Sequence, residues 1–438
     1  MTEPAESFSR RDLVRRAVAL AAVSPLAAPF VNRGRHELFA STPWAQEFSE
    51  RAVRLVREAT VIDMLSPLKI AGDDVAGWMR DPSSFTERDF AYYRDSGINV
   101  FHPTGGGTAG RDTHENVLTY LAEWNGFIAY HSDWFVRVTD PGHLDRVNES
   151  GKIGVILGLQ NSAHFNDVDD VDLFYGLGQR VSQLTYNSQN RIATGTMEGR
   201  DGGISDFGED VVRRMNEVGM AVDVSHCGDQ TTLDAFEISS RPVLITHSNA
   251  RALNPGYFRC TTDEAIRRMA ESGGVMGITM VRSFVSGEEP TTLDSLLDHF
   301  DHVARLVGVE HVGIGADTDI NGGYDASPPE AWERIGGRYR AEYQFRDKID
   351  MDEMPTQKRT YLLTEGLIGR GYGDEEIRMM LGENFRRVLK EISLRSGSRR
   401  SWDAIDVNCL SSSFALWTLC ARSRSEALFL RSSNWLTT

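Results

Sequence analysis

The sequence predicts an α/β chain folded as a (β/α)8 TIM-like barrel, and three observations carry that prediction. From about Ala59 onward, short apolar runs alternate with amphipathic stretches. The runs are apolar nearly throughout instead of alternating with polar residues, as strands covered on both faces are. Three of them finish on residues that bind metals or carry protons: Ala221-Val-Asp-Val-Ser-His226, Val243-Leu-Ile-Thr-His247 and His311-Val-Gly-Ile-Gly-Ala-Asp317. A parallel barrel gathers its functional groups where the carboxyl ends of the strands open into loops. A doubly wound open sheet is the alternative reading of the same alternation.

In chain order, the first element is an address. Ser9-Arg10-Arg11-Asp12-Leu13-Val14 resembles a twin-arginine export motif, and a mildly apolar Ala17–Val31 stretch follows it. That stretch is too short and mild to act as a membrane anchor; a short basic amphipathic helix is the plainer reading. Residues 1–42 are therefore read as leader, with a periplasmic or otherwise exported mature protein, and a cytoplasmic one as the alternative. Residues 43–392 form one barrel domain. Its candidate strands are Thr60–Leu65, Asn99–Pro103, Phe135–Val138, Gly154–Gln160, Val181–Tyr186, Ala221–His226, Val243–His247, Gly274–Val281 and His311–Asp317. These are one more than a barrel needs, so one is accessory. Val211–Val218, Asp263–Ser272 and Leu293–Val307 read as helices between them. Gly195–Gly208 and Gly322–Pro355, the latter bearing Trp332, Tyr339 and Tyr343, read as long loops over the barrel mouth. A terminal helix at Glu383–Leu389 closes the pattern. Residues 393–438 turn Ser- and Arg-rich without a period and read as a disordered tail or a foreign end.

The 438 residues suffice for one large α/β domain, and 40% apolar content allows a full core. A net charge of −16 argues against nucleic acid and anionic membranes as partners. The four cysteines show neither CxxC spacing nor the density of a disulfide scaffold, and Cys227 reads as core. Thr104-Gly105-Gly106-Gly107 lacks the spacing of a phosphate loop and reads as a turn.

The chemistry lies at the strand ends. Neutral imidazole is a leading ligand for divalent ions, and His226 and His247, about 20 residues apart, would end adjacent strands. Asp317 could complete a two-His, one-carboxylate face or act as general base for a bound water. Arg259 offers a cationic fork suited to a carboxylate, against the plainer reading of a surface ion pair. His102, His164 and Asp63 could rescue a site, but each reads better as structural.

Together these residues resemble the membrane (renal-type) dipeptidase family. Val222-Asp-Val-Ser-His226, Thr246-His247-Ser-Asn-Ala-Arg-Ala-Leu253, Arg259, His311 through Asp317, and Asn384-Phe-Arg-Arg-Val388 carry the likeness, which runs from about Ala59 to Ile392. The resemblance implies a barrel of the metal-dependent hydrolase type, with two zinc ions, that cleaves dipeptides. It implies His226 and His247 as ligands of the second zinc and Arg259 as the anchor of the substrate carboxylate. It also implies Asp317 at the catalytic water and first zinc. A homodimer is a further expectation.

Departures from the family pattern fall on the other half of the centre. Leu65 and Pro67 stand where a His-x-Asp pair holds the first zinc, Gln160 where a glutamate bridges both ions, and Tyr186 where a histidine assists the substrate carbonyl. The expectation is one Zn2+ at most, on His226 and His247 with Gln160 or Asp317. Tyr186 would then polarise the carbonyl of a small carboxylate-bearing amide. The alternative is a periplasmic binding protein, or a barrel turned to a non-peptide substrate.

Overall fold

A computed structural model of the chain describes residues 47–66, 75–105, 113–318, 320, 349–354 and 357–393. The leader, Pro67, Gly106 and Gly107, Asp319, nearly all of the 322–355 insertion and the tail from 394 lie outside the described residues, as do Cys409 and Cys420.

The strand pairings return to their starting point. β1 (Ile62–Asp63) pairs in parallel with β2 (Val100–Phe101), and the same run resumes as β3 (Thr104–Gly105) after His102-Pro103. Pro103 has no N–H to give to the ladder, which accounts for the interruption. Among the described residues β4 (Phe135–Arg137) pairs only with β5 (Ile153–Val155), outside the ring, and is the accessory strand. β5 pairs with β2, and its continuation β6 (Leu157–Leu159) pairs with β3 and then with β7 (Gln179–Gln183). β7 pairs with β8 (Ala221–Asp223). From there Leu244 bonds Val222 and Val224 on the way into β9 (Ile245–Ser248). β9 pairs with β10 (Met276–Ile278), β10 with β11 (Val312–Ile314), and β11 with β1 at Asp63 and Ile314. The eight-stranded barrel is thus the fold, and the open sheet is set aside.

Local sequence explains the helices that cover it. In Leu293–Val307, Thr292 accepts from the Ser295 amide, and Leu296, Phe300 and Val303 fall on one buried face. Ser205 caps Asp206–Val218 in the same way, and Gly219 ends it in a left-handed conformation. The loop expected to reach Gly208 therefore stops at the cap. Gly208 lies buried inside the helix, where an added Cβ would stand 2.2 Å from the Ile192 carbonyl. The terminal helix, Asn384–Ser393, is fastened by Asn384, whose Nδ2 donates to the carbonyls of Val309 and Val312. Its Phe385, Val388, Leu389 and Ile392 cluster with Ile62, Val100, Ala221, Leu244 and Val275, residues at the amino ends of the strands. That end of the barrel is sealed. The carboxyl ends are left for chemistry.

Candidate active site

At those carboxyl ends β8 and β9 bring His226 and His247 together. Their Nε2 atoms lie 3.1 Å apart and both rings are buried. Behind His247 stands a hydroxyl and then a carboxylate. His247 Nδ1 is 2.8 Å from Thr246 Oγ1, which is 2.7 Å from Asp223 Oδ2. Asp223 also accepts from the hydroxyl of Ser225 at 2.6 Å and from the Thr246 amide at 3.0 Å. The single Thr246 proton goes to the carboxylate, so His247 donates from Nδ1 and keeps a bare lone pair on Nε2.

His226 is held from its other nitrogen. Nδ1 lies 2.7 Å from Asn187 Oδ1 and 3.1 Å from the Nε of Arg259. The carbonyl oxygen asks Nδ1 for a proton, whereas the guanidinium asks it for a lone pair. Turning the Asn187 amide decides which tautomer His226 adopts. Tyr186 stacks on His226, with ring centroids 4.2 Å apart. Burial pushes both imidazoles well below their usual range, and the charge of Arg259 acts in the same direction. Both are neutral, as ligands or bases must be.

Arg259 is 5% exposed, which overturns the surface ion-pair reading. Besides His226 it donates to the His247 carbonyl at 2.8 Å and to Ser248 Oγ at 3.3 Å. Three of its five N–H groups are used in this way, leaving two for a carboxylate. Asp317 ends the run after β11, half-buried, with its backbone amide on the Leu65 carbonyl at 2.7 Å. Burial pushes its carboxyl up to about 7, opposed by the charge of Arg259 and reinforced by that of Asp63. Such a group can both take and give a proton near neutrality. Asn187 (φ 60°) and Asp317 (φ 55°) are the two described non-glycine residues with left-handed backbone. Both stand in this site, and strain of that kind gathers where function needs it.

The remaining candidates, Gln160 aside, are structural. His164 bonds the Asn161 carbonyl through Nδ1 and Gln179 through Nε2, both at 3.1 Å, which makes it a satisfied core histidine. His102 gives Nδ1 to the Met64 carbonyl at 2.6 Å. A Cβ on Gly158 would stand 1.9 Å from His102 Nε2 and 2.9–3.0 Å from both flanking ring carbons. That places the Gly158 backbone on the lone-pair axis and leaves no room for an ion. Asp63 is buried against Arg359. Cys227 is buried, as expected. Gln160 is half-buried, and its main-chain carbonyl accepts from the Gln183 side chain. Among the described residues no three His, Cys, Asp or Glu side chains converge as a metal site.

The pattern of these strand ends matches a known family over residues 91–333, more than half of the chain. The chain belongs to the membrane dipeptidase family, peptidase family M19. Dipeptidase 3 of Rattus norvegicus is 28% identical over 256 residues, 57% of this chain and 47% of that protein. The chain thus spans about half the length of that relative. An amidohydrolase from Pseudomonas aeruginosa superposes with a TM-score of 0.66 at 28% identity, covering 78% of this chain and 98% of the other. A metallopeptidase from Rhodobacter sphaeroides, solved with a phosphinate mimic of the dipeptide L-Ala-D-Ala, superposes at 0.59 with 17% identity. Its alignment takes in 76% of this chain and 99% of that one, and at such identity the likeness is one of fold.

The resemblance implies donors at two zinc positions, and the residues at the two differ. Two imidazoles on one tetrahedral ion, bonded at about 2.0–2.1 Å, hold their nitrogens roughly 3.3 Å apart. The observed 3.1 Å between Nε2 atoms fits the second position. At the first, Leu65 is buried and apolar, and Gln160 brings no charge. The first position does not fit a metal.

Proposed function

We propose that the chain is a dipeptidase-type hydrolase cleaving a small amide with a free carboxylate, using one divalent ion, zinc first among them, on His226 and His247. The observation that carries this reading is the pair of buried imidazole Nε2 atoms 3.1 Å apart beside a buried arginine; with the Asn187 carbonyl oxygen taking the proton of His226 Nδ1, both Nε2 atoms are bare. When bound, the ion supplies a Lewis acid and a water acidic enough to attack an amide. Arg259 binds the substrate carboxylate and so sets which amide faces the imidazoles. Asp317 takes the proton of the attacking water and returns it to the leaving amine, work suited to a carboxyl near 7. Tyr186, stacked on His226, would give a phenol hydrogen bond to the developing oxyanion. Gln160 can add only a neutral carbonyl oxygen to the ion.

A second reading rests on the same contacts. If Asn187 turns its amide, Arg259 donates to His226 Nδ1, and His226 Nε2–H donates to His247 Nε2. The chain of donors then closes on Asp223 without an ion, as a binding protein that keeps the carboxylate anchor would need. Turnover of a dipeptide library by the full chain with added zinc separates the two. Hydrolysis lost in Asp317→Asn supports the enzyme, and binding without turnover supports the carrier. No described helix is long and apolar enough to cross a membrane. Export by the twin-arginine route belongs to this proposal and is tested by signal cleavage in a periplasmic fraction.

A further inference from the structure

The end of β1 and the segment carrying Asp317 are joined by a side chain from outside the candidate site. Arg359 opens the helix Arg359–Gly369, and its side chain is 1% exposed. Its Nη2 donates to Asp63 Oδ2 at 2.9 Å and to Ser66 Oγ at 2.8 Å. Its Nη1 donates to the Thr318 carbonyl at 2.8 Å and to Thr318 Oγ1 at 3.2 Å. The paired carboxylate continues the bridge, because Asp63 Oδ1 accepts from the Ala316 amide at 2.9 Å and from the Leu65 amide at 3.2 Å. Residues on both sides of Leu65 and on both sides of Asp317 are therefore bound either to this guanidinium or to the carboxylate it neutralises. Asp317 has a backbone conformation that an ordinary side chain rarely adopts, so its surroundings must impose it.

We propose that Arg359 is the fixed cation that takes over the cross-linking task of the missing first metal. It ties the end of β1 to the Asp317 segment and holds Asp317 in its left-handed backbone, as a positioning residue. A guanidinium suits this task because its planar fork reaches acceptors on two elements at once and stays charged when buried. Burial pushes the Asp63 carboxyl up, while Arg359 and the two amides pull it back toward the charged form. A divalent ion at the first position would add positive charge beside a cation already present, with Leu65 in place of an anionic or imidazole ligand. The exchange of ligands for Leu65 and the presence of Arg359 are then two halves of one change. The inference rests on the site reading above, but not on the second position holding an ion.

Hydrogen–deuterium exchange of the full-length protein tests this, followed in peptides covering residues 61–66 and 312–318, with and without a chelator. Exchange in both peptides of the unmodified protein is expected to be indifferent to chelation. In Arg359→Met both should exchange about tenfold faster, while peptides over β9 and β10 stay as they were. Arg359→Lys should fall between, since one ammonium cannot bridge both sides. Chelator-sensitive exchange in these peptides would overturn the proposal, as would full protection in Arg359→Met or a second tightly bound zinc equivalent. If Arg359→Met fails to fold, the chelator comparison and the lysine variant decide. Absence of any zinc binding would sink the one-ion hydrolase and leave these exchange results standing.

Discussion

At the residue scale, the site is a set of donors and acceptors whose protons are nearly all assigned by neighbours. Thr246 and Asp223 fix the His247 tautomer from behind, the arrangement that outer-sphere groups give metal-bound histidines. Thr246→Val should lower zinc affinity roughly 10–100-fold without unfolding the barrel, read by competition titration against a chromophoric chelator. An unchanged affinity would remove Thr246 from the account. Arg259→Lys keeps the charge but loses the fork, so KM for dipeptides should rise more than kcat falls. Substrates with a blocked carboxylate should be indifferent to it. His226, His247, Arg259 and Asp317 were legible in the sequence because each ends a recognisable run or follows one at a set distance. Asn187, Thr246 and Asp223 were missed as working parts. A carboxylate inside the apolar run Ala221-Val-Asp-Val and an Asn in a strand-end loop were signals open to use. Arg359 left no such signal, because what matters about it is a contact across 296 residues of chain.

At the element scale, each of the nine candidate strands overlaps an observed one, and Phe135–Arg137 proved accessory. Apolar runs bounded by polar turns state a buried strand clearly. They do not state where a strand is cut, and β2/β3 and β5/β6 each divide in two. The Gly195–Gly208 reading failed at Ser205, where a helix cap competed with glycine content and won. Gly158 shows what composition hides, since it is glycine because an imidazole tip occupies the place of its side chain. Gly158→Ala should cost about 1–3 kcal/mol by overpacking, measured by urea unfolding. Adding His102→Ala should recover part of that loss. A silent Gly158→Ala would show that His102 has room to move.

At the scale of the whole molecule, closure of the ring was readable only as a count, because the pairing of β11 with β1 joins residues some 250 positions apart. Stability toward acid also belongs at this scale. Burial pushes His102, His164 and His299 down to about 4, and His131, His226 and His247 move the same way. These rings are neutral when folded, while the unfolded chain takes up protons below about pH 6.5, so stability falls as pH drops through that window. Asp317, pushed up to about 7, opposes this by holding a proton that the unfolded chain releases, and the upward shifts of Asp63 and Asp223 act in the same direction. Six imidazoles against three carboxyls leave a net loss, so the urea midpoint should decline from pH 7 to pH 5 and decline less in His164→Gln. A midpoint that rises over that range would mean the carboxyls dominate. The central claim, one ion on two imidazoles, is met most directly by calorimetric titration of the metal-stripped full-length protein with zinc. One equivalent should bind, lost in His226→Ala and in His247→Ala alike; two equivalents, none, or one that survives both substitutions would contradict a single ion on this pair.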